Sequence, residues 1–431
     1  MNRYLQYLGL CLAGLLCLPA LADEPGYPVT NPFLATIVGT PPQLVWPVPE
    51  EPEVRQTDLS VRVLPERYLP PVLSQYRELH YRLAWHNKPA PLVFLIAGTG
   101  SGYDSPRLDY LKRAFWNAGM HVIIMSSPTN HDFIAAASRS GLPGLGKDDA
   151  RDLHSAMSLA VEHARIEKEL EITDYRLAGF SLGALNAAFV AHLDEDLRQF
   201  NFSRTLLLNP PVDLYASIHR LDALARTQID GVSSADSFYE HIFQKLARYF
   251  EASGGTDIES GLFYGIQSSD EALTDAEMAT LIGAVFRFAA ADLNFMADLI
   301  TEGGRYAPAG ETLKVSTSLT PYLRRALFCD FSCYLETQLW PNWSSRNVGK
   351  SMEDMAWETS LQSIESFLRN NPDIAALTNA DDFILTADNY RFIAETFGER
   401  AFLYPHGGHG GNLQYLDVMK QILAFMEGEQ P

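Results

Sequence analysis

Ser181 stands between two glycines in Gly179-Phe180-Ser181-Leu182-Gly183, and no other stretch of the chain has this Gly-x-Ser-x-Gly spacing. A serine hydroxyl is a poor nucleophile at neutral pH. It needs a base within hydrogen-bond reach, and the base needs a partner that fixes its tautomer. Candidates for both lie downstream, in that order. Asp381 and Asp382 follow an apolar run, in Thr378-Asn379-Ala380-Asp381-Asp382-Phe383. His409 lies in Tyr404-Pro405-His406-Gly407-Gly408-His409-Gly410-Gly411. A histidine set among glycines belongs to a loop, where it is free to meet a substrate. His409 is the first choice of base. His406 is the alternative, closer to the preceding strand and without glycines on both sides. Asp382 is the first choice of acid, with Asp381 as the alternative or as a residue that sets the turn. The chemistry of such a set is attack of the serine on an acyl carbon.

The elements around these residues have to position them. An apolar strand, Tyr175 to Phe180, runs into the serine, and a helical run, Ala184 to Leu193, follows at once. A sharp strand–turn–helix junction lifts a hydroxyl clear of the strand end. Side chains at the flanking glycines would collide with the neighbouring strand or helix. The helix N-terminus aims free N–H groups at the place where negative charge develops. Leu182, directly after the serine, is one expected oxyanion donor. The second should come from Gly98-Thr99-Gly100-Ser101-Gly102, after the buried strand Leu92–Ala97, and Thr99 is the choice. That glycine loop lacks the Gly-Lys-Ser/Thr ending of a phosphate-binding loop. Nor does its spacing suit a dinucleotide. No cofactor and no metal are expected.

Strand and helix signals alternate from residue 57. Gln75–Trp85, Leu92–Ala97, His121–Met125 and Thr205–Leu208 read as strands, with helices over Leu108–Asn117 and Asp148–Leu170. Such alternation predicts a mostly parallel sheet with helices on both faces. After Pro211 the pattern turns helical until about residue 370. Thr274-Asp275-Ala276-Glu277 reads as a capping box opening a long apolar helix through Phe286 and Phe295 to Ile300. The alternation then returns: strands at Ile374–Leu377 and Phe402–Tyr404, helices at Asn389–Phe397 and Leu413–Met426. The chain therefore divides into an α/β core (57–211 and 371–431) and a helical insertion (212–370) expected to serve as a lid.

Residues 1–22 read as a secretory signal peptide. Asn2-Arg3 is followed by an apolar run, Leu5–Leu18, and by Ala20-Leu21-Ala22 as a cleavage site before Asp23. The run is shorter than the roughly 20 residues a membrane span needs, so no stable span is expected after cleavage, and the protein is expected in the periplasm or outside the cell. The proline-rich stretch 23–56 should be an extended arm that trails or lies across the surface. Cys329 and Cys333 remain in the mature chain, either as a disulfide of an oxidising compartment or as two free thiols on a helix. The net charge of −20 argues against nucleic acid as a partner. The composition, 47% hydrophobic and 20% charged, suits a large globular core.

Taken together, Gly98-Thr99-Gly100, the Ser181 pentapeptide, Asn379-Ala380-Asp381-Asp382 and Gly408-His409-Gly410 resemble the α/β-hydrolase superfamily, over about 75–211 and 372–428. Asn-Ala-Asp-Asp before an apolar residue is loosely similar to the acid loop of its YheT-like, ABHD-type esterases. Ala97-Gly98-Thr99-Gly100 stands where many relatives have His-Gly-x-Gly. The resemblance implies Ser181 as nucleophile, Asp382 as acid and His409 as base. It also implies a small-molecule or lipid-like ester as substrate, bound under the insertion. A thioesterase, peptidase or acyltransferase would use the same residues, and a non-catalytic binding protein could share the fold.

Overall fold

The computed structural model describes residues 26–229, 231–232, 234–253 and 266–428. The expected signal segment 1–22 lies outside them. Eight strands form one sheet in the order β1-β2-β4-β3-β5-β6-β7-β8. They are β1 (Gln56–Val61), β2 (Leu79–Ala84), β3 (Ala90–Ile96), β4 (His121–Met125), β5 (Ile172–Phe180), β6 (Arg204–Leu208), β7 (Ile374–Asn379) and β8 (Ala401–Tyr404). β2 pairs antiparallel with β1 and β4, and the other neighbours are parallel. β4 and β7 are buried along their whole length. They can be continuous apolar runs because helices cover both faces.

One face carries α4 (Gly146–Lys168) and α5 (Leu182–Leu197); the other carries α2 (Pro106–Asn117) and the C-terminal helix Leu416–Glu427. Parallel neighbours need such crossovers. The insertion leaves the sheet after β6 and returns to β7. It begins with α6 (Leu214–Leu224) and α7 (Ala235–Ser253). Next comes α8 (Asp275–Ile300), and short helical segments follow between 320 and 370. The capping box at the start of α8 is present: Thr274 and Glu277 bond each other's backbone N–H. Burial alone would raise the Glu277 carboxyl, but Lys245, the Thr274 N–H and His241 outweigh it and hold it down to about 2. Cys329 and Cys333 are joined as a disulfide.

Three local expectations need correction. Gln75–Trp85 is not strand throughout: Pro71–Tyr76 forms a 3-10 turn, because Pro70 and Pro71 fix φ and remove two donors, and β2 starts only at Leu79. The final helix starts at Leu416 rather than Leu413, since 411–414 close the histidine loop. Of the two courses expected for the proline-rich arm, trailing or lying across the surface, it takes the second, but it is not extended throughout. Asn31 caps a short helix, α1 (Pro32–Val38), by accepting from the N–H groups of Phe33 and Leu34. Proline at the first helical position is the signal that marks it. The arm then crosses the molecule, bonding Trp46 N–H to the Gln414 carbonyl and bridging Val45 with Tyr415.

Candidate active site

Ser181 closes β5 and precedes α5 with φ 55° and ψ −123°. A non-glycine residue rarely adopts a positive φ, and here the surroundings enforce it. A Cβ on Gly179 would lie 2.1 Å from the Gly183 carbonyl oxygen, and one on Gly183 would lie 2.3 Å from that of Ile96. Both distances are far inside contact, so only glycine fits either place. The Ser181 N–H is tied to the Leu208 carbonyl of β6 at 2.8 Å.

The structure brings Ser181, His409 and Asp382 together from three loops. His409 Nε2 lies 2.9 Å from Ser181 Oγ. His409 Nδ1 lies 3.1 and 3.0 Å from the two Asp382 oxygens. Asp382 also accepts from Asn209 Nδ2 at 3.0 Å and from the Ile384 N–H at 3.2 Å. All three side chains are nearly sealed from water: Ser181 is 6% exposed, His409 4% and Asp382 3%. Charge interactions are therefore little screened.

Asp381 and His406 stand aside. Asp381 accepts the N–H groups of Gly407 and Gly408 at 3.2 and 2.9 Å, so it folds the histidine loop from below. Burial raises its carboxyl pKa against those hydrogen bonds. His406 lies 3.6 Å from Asp381 and is partly exposed. The loop has further supports that the sequence reading did not find. Asn379 Nδ2 donates to the Gly408 carbonyl and to Asn412 Oδ1, and Asn412 Nδ2 donates back to Asn379 Oδ1 at 2.7 Å. Thr36 of α1 accepts the His409 N–H at 2.9 Å. These partners are distant in sequence, and Asn209 and Thr36 lie in no motif. The one local hint was Asn379, at the strand end.

Thr99 and Leu182 line one small apolar cavity of about 40 Å3, with Leu214, Ile218, Leu293 and Phe331. The Leu182 N–H, first in α5, has no carbonyl behind it in the helix. α8 lies over this region. Ala289 rests against Gly100, and His131 of the short helix α3 (His131–Ala136) bonds Asp292 at 3.1 Å. The residue of α8 that reaches the cavity is Leu293. Phe295 is core, 2% exposed and stacked on Tyr322. Phe286 packs at the core's edge and does not line the cavity.

A mixed eight-stranded sheet with a serine turn after β5, an acid loop after β7 and a histidine loop after β8 defines an α/β-hydrolase fold. No family model matches the chain, and no curated protein matches it in sequence. Solved structures similar to it include carboxyl esterase 2 of the mycorrhizal fungus Tuber melanosporum, at 16% identity, covering 93% of this chain and 97% of that one, with a TM-score of 0.41. Another is a thermophilic carboxylesterase cloned from a metagenomic library, at 14% identity over 93% and 94%, with a TM-score of 0.40. A third is a hyperthermophilic esterase from the archaeon Pyrobaculum calidifontis, at 14% identity over 91% and 87%, with a TM-score of 0.38.

Proposed function

We propose that this chain is an exported serine hydrolase that cleaves carboxylic esters of small acyl groups. The observation that carries the reading is the unbroken line Asp382–His409–Ser181, with the serine held at positive φ. Ser181 Oγ attacks the carbonyl carbon while His409 Nε2 takes its proton. Asp382 fixes the Nδ1–H tautomer and stabilises the imidazolium. The N–H groups of Leu182 and Thr99 receive the oxyanion. Collapse breaks the ester C–O bond, and His409 returns the proton to the leaving alcohol. Water, deprotonated by the same histidine, then releases the acid from Ser181.

Substrate size follows from the cavity. The cavity of about 40 Å3 is small and apolar, which suits a short acyl group without movement of α8. The insertion 212–370 serves as the lid. Two assays test the assignment: fluorophosphonate labelling, and hydrolysis of p-nitrophenyl esters of rising chain length. Ser181→Ala should stay folded, lose labelling and lose about four orders of magnitude or more in rate. Esterase activity retained in that variant would sink the assignment. Rates on the parent protein should fall from acetate and propionate toward octanoate. Export rests on residues 1–22: the periplasmic or secreted protein should begin at Asp23 by mass spectrometry, and an intact Met1 in the membrane fraction would mean a retained anchor.

A further inference from the structure

A second recess, of about 430 Å3, is walled in part by Gly98, which packs against the serine residue: a Cβ there would lie 3.3 Å from Ser181 Cβ. Phe180 and Gly410, which directly precede Ser181 and follow His409, line it as well. Its other walls include Thr36 of α1, Ser105 and Arg107. The Arg107 guanidinium lies over the Phe180 ring, 4.4 Å from its centroid. Phe180 in turn lies 5.3 Å from the His409 ring.

Other partly buried arginines of the chain have partners. Arg82, Arg176 and Arg204 each meet an aspartate, and Arg67 and Arg400 donate to backbone carbonyls. Arg107 has no carboxylate partner and no hydrogen-bond acceptor among the described residues. Burial lowers its pKa to about 10, with no neighbouring charge to offset this. It is still a cation at neutral pH. Arg107 stays partly open to the recess, and a cation held there without a carboxylate partner attracts an anion. The start of α2 lines the same recess. Ser105 is the N-cap residue of α2, yet its side chain makes no capping hydrogen bond. The α2 N-terminus itself favours negative charge.

We infer that this recess holds a carboxylate carried by the ester that Ser181 cleaves, with Arg107 as its counter-charge. The inference rests on the esterase reading and sharpens it: the substrate is a short-chain ester bearing an acid group. A carboxylate is favoured because the planar guanidinium presents two parallel N–H donors to it. One arginine also balances one charge, where a phosphate would bring nearly two.

Two matched ester pairs test it. One carries the acid on the acyl side: mono-4-nitrophenyl glutarate against its methyl ester. The other carries it on the alcohol side: 4-acetoxybenzoate against methyl 4-acetoxybenzoate. The readout is the ratio of kcat/KM for the charged and neutral member. In one pair the wild-type protein should prefer the acid, and Arg107→Gln should lower that ratio roughly tenfold or more. General damage to the fold would depress both members alike and leave the ratio where it was. Binding of glutarate and of benzoate to the Ser181→Ala protein, measured by calorimetry, needs no catalysis. One of them should bind, and Arg107→Gln in that background should abolish it. A wild-type protein with no acid preference in either pair, together with no binding of either acid to Ser181→Ala, would overturn the inference, even if Arg107→Gln does not fold. An unreactive Ser181 alongside carboxylate binding would instead overturn the esterase reading and leave the anion site standing.

Discussion

Asp381 and Asp382 are neighbours with different work. The turn at the end of β7 sends Asp382 inward to His409 and Asp381 toward the N–H groups of Gly407 and Gly408. Asp382→Asn should therefore cost about a thousandfold or more in kcat, because an amide no longer holds the histidine in the needed tautomer. Asp381→Asn should cost less than about tenfold and show mainly as lower thermal stability, since it weakens two backbone hydrogen bonds. Kinetics of the two variants side by side check this, and the reverse order would move the acid to Asp381. At this scale the sequence was most informative where glycine is compulsory. Ser181 and His409 stand out because backbone must approach backbone around them. Asn209, which also bonds Asp382, gave no signal: it is one asparagine at the end of a strand, and its role exists only once β6 lies beside β7.

Among the elements, α8 was legible as a helix but not in the orientation of its apolar residues. Thr274 and Glu277 announce its start, and its apolar spacing announces burial. That spacing says nothing about which apolar residue meets the core and which meets the cavity. Phe295 went to the core and Leu293 to the cavity, because α8 crosses above Gly100 and presents Ala289 and Leu293 to that loop. Leu293→Ala should then enlarge the acyl site. The ratio of rates on hexanoate and acetate p-nitrophenyl esters should rise roughly tenfold, the value of a methylene or more of pocket space. Phe286→Ala should leave the ratio near that of the parent. An unchanged ratio in Leu293→Ala would place the acyl group elsewhere. The Cys329–Cys333 disulfide sits beside Phe331, another wall of the cavity. It closes so short a loop that its entropic contribution is only about 2 kcal/mol.

Over the whole molecule, the N-terminal arm links parts that the sheet does not. It starts at the insertion, where Asn31 Nδ2 donates to Asp275 at 2.6 Å. It passes beneath the histidine loop, where Thr36 accepts the His409 N–H and Thr40 donates to the Gly411 carbonyl. It ends as β1 on the edge of the sheet. The proline count suggested an extended arm and left open whether it trails or lies across the surface, because composition reports stiffness and not destination. The packing is close: a Cβ on Gly408 would lie 2.1 Å from the Pro32 carbonyl oxygen. The arm is therefore placed to act as a positioning strap for His409, the proposed general base. Thr36→Val keeps the side-chain shape but leaves the buried His409 N–H unpaired, a cost of about 1–3 kcal/mol. We expect kcat on a short ester to fall about tenfold, with KM near the parent value and Ser181 labelling slowed in proportion. Gly408→Ala should do the same by pushing α1 away, and the double variant should lose less than the product of the two, since both act on one contact. Independent, multiplying losses would show that Thr36 and Gly408 affect activity through separate routes. A Thr36→Val protein with lower thermal stability but parental kcat would reduce the strap to a structural brace.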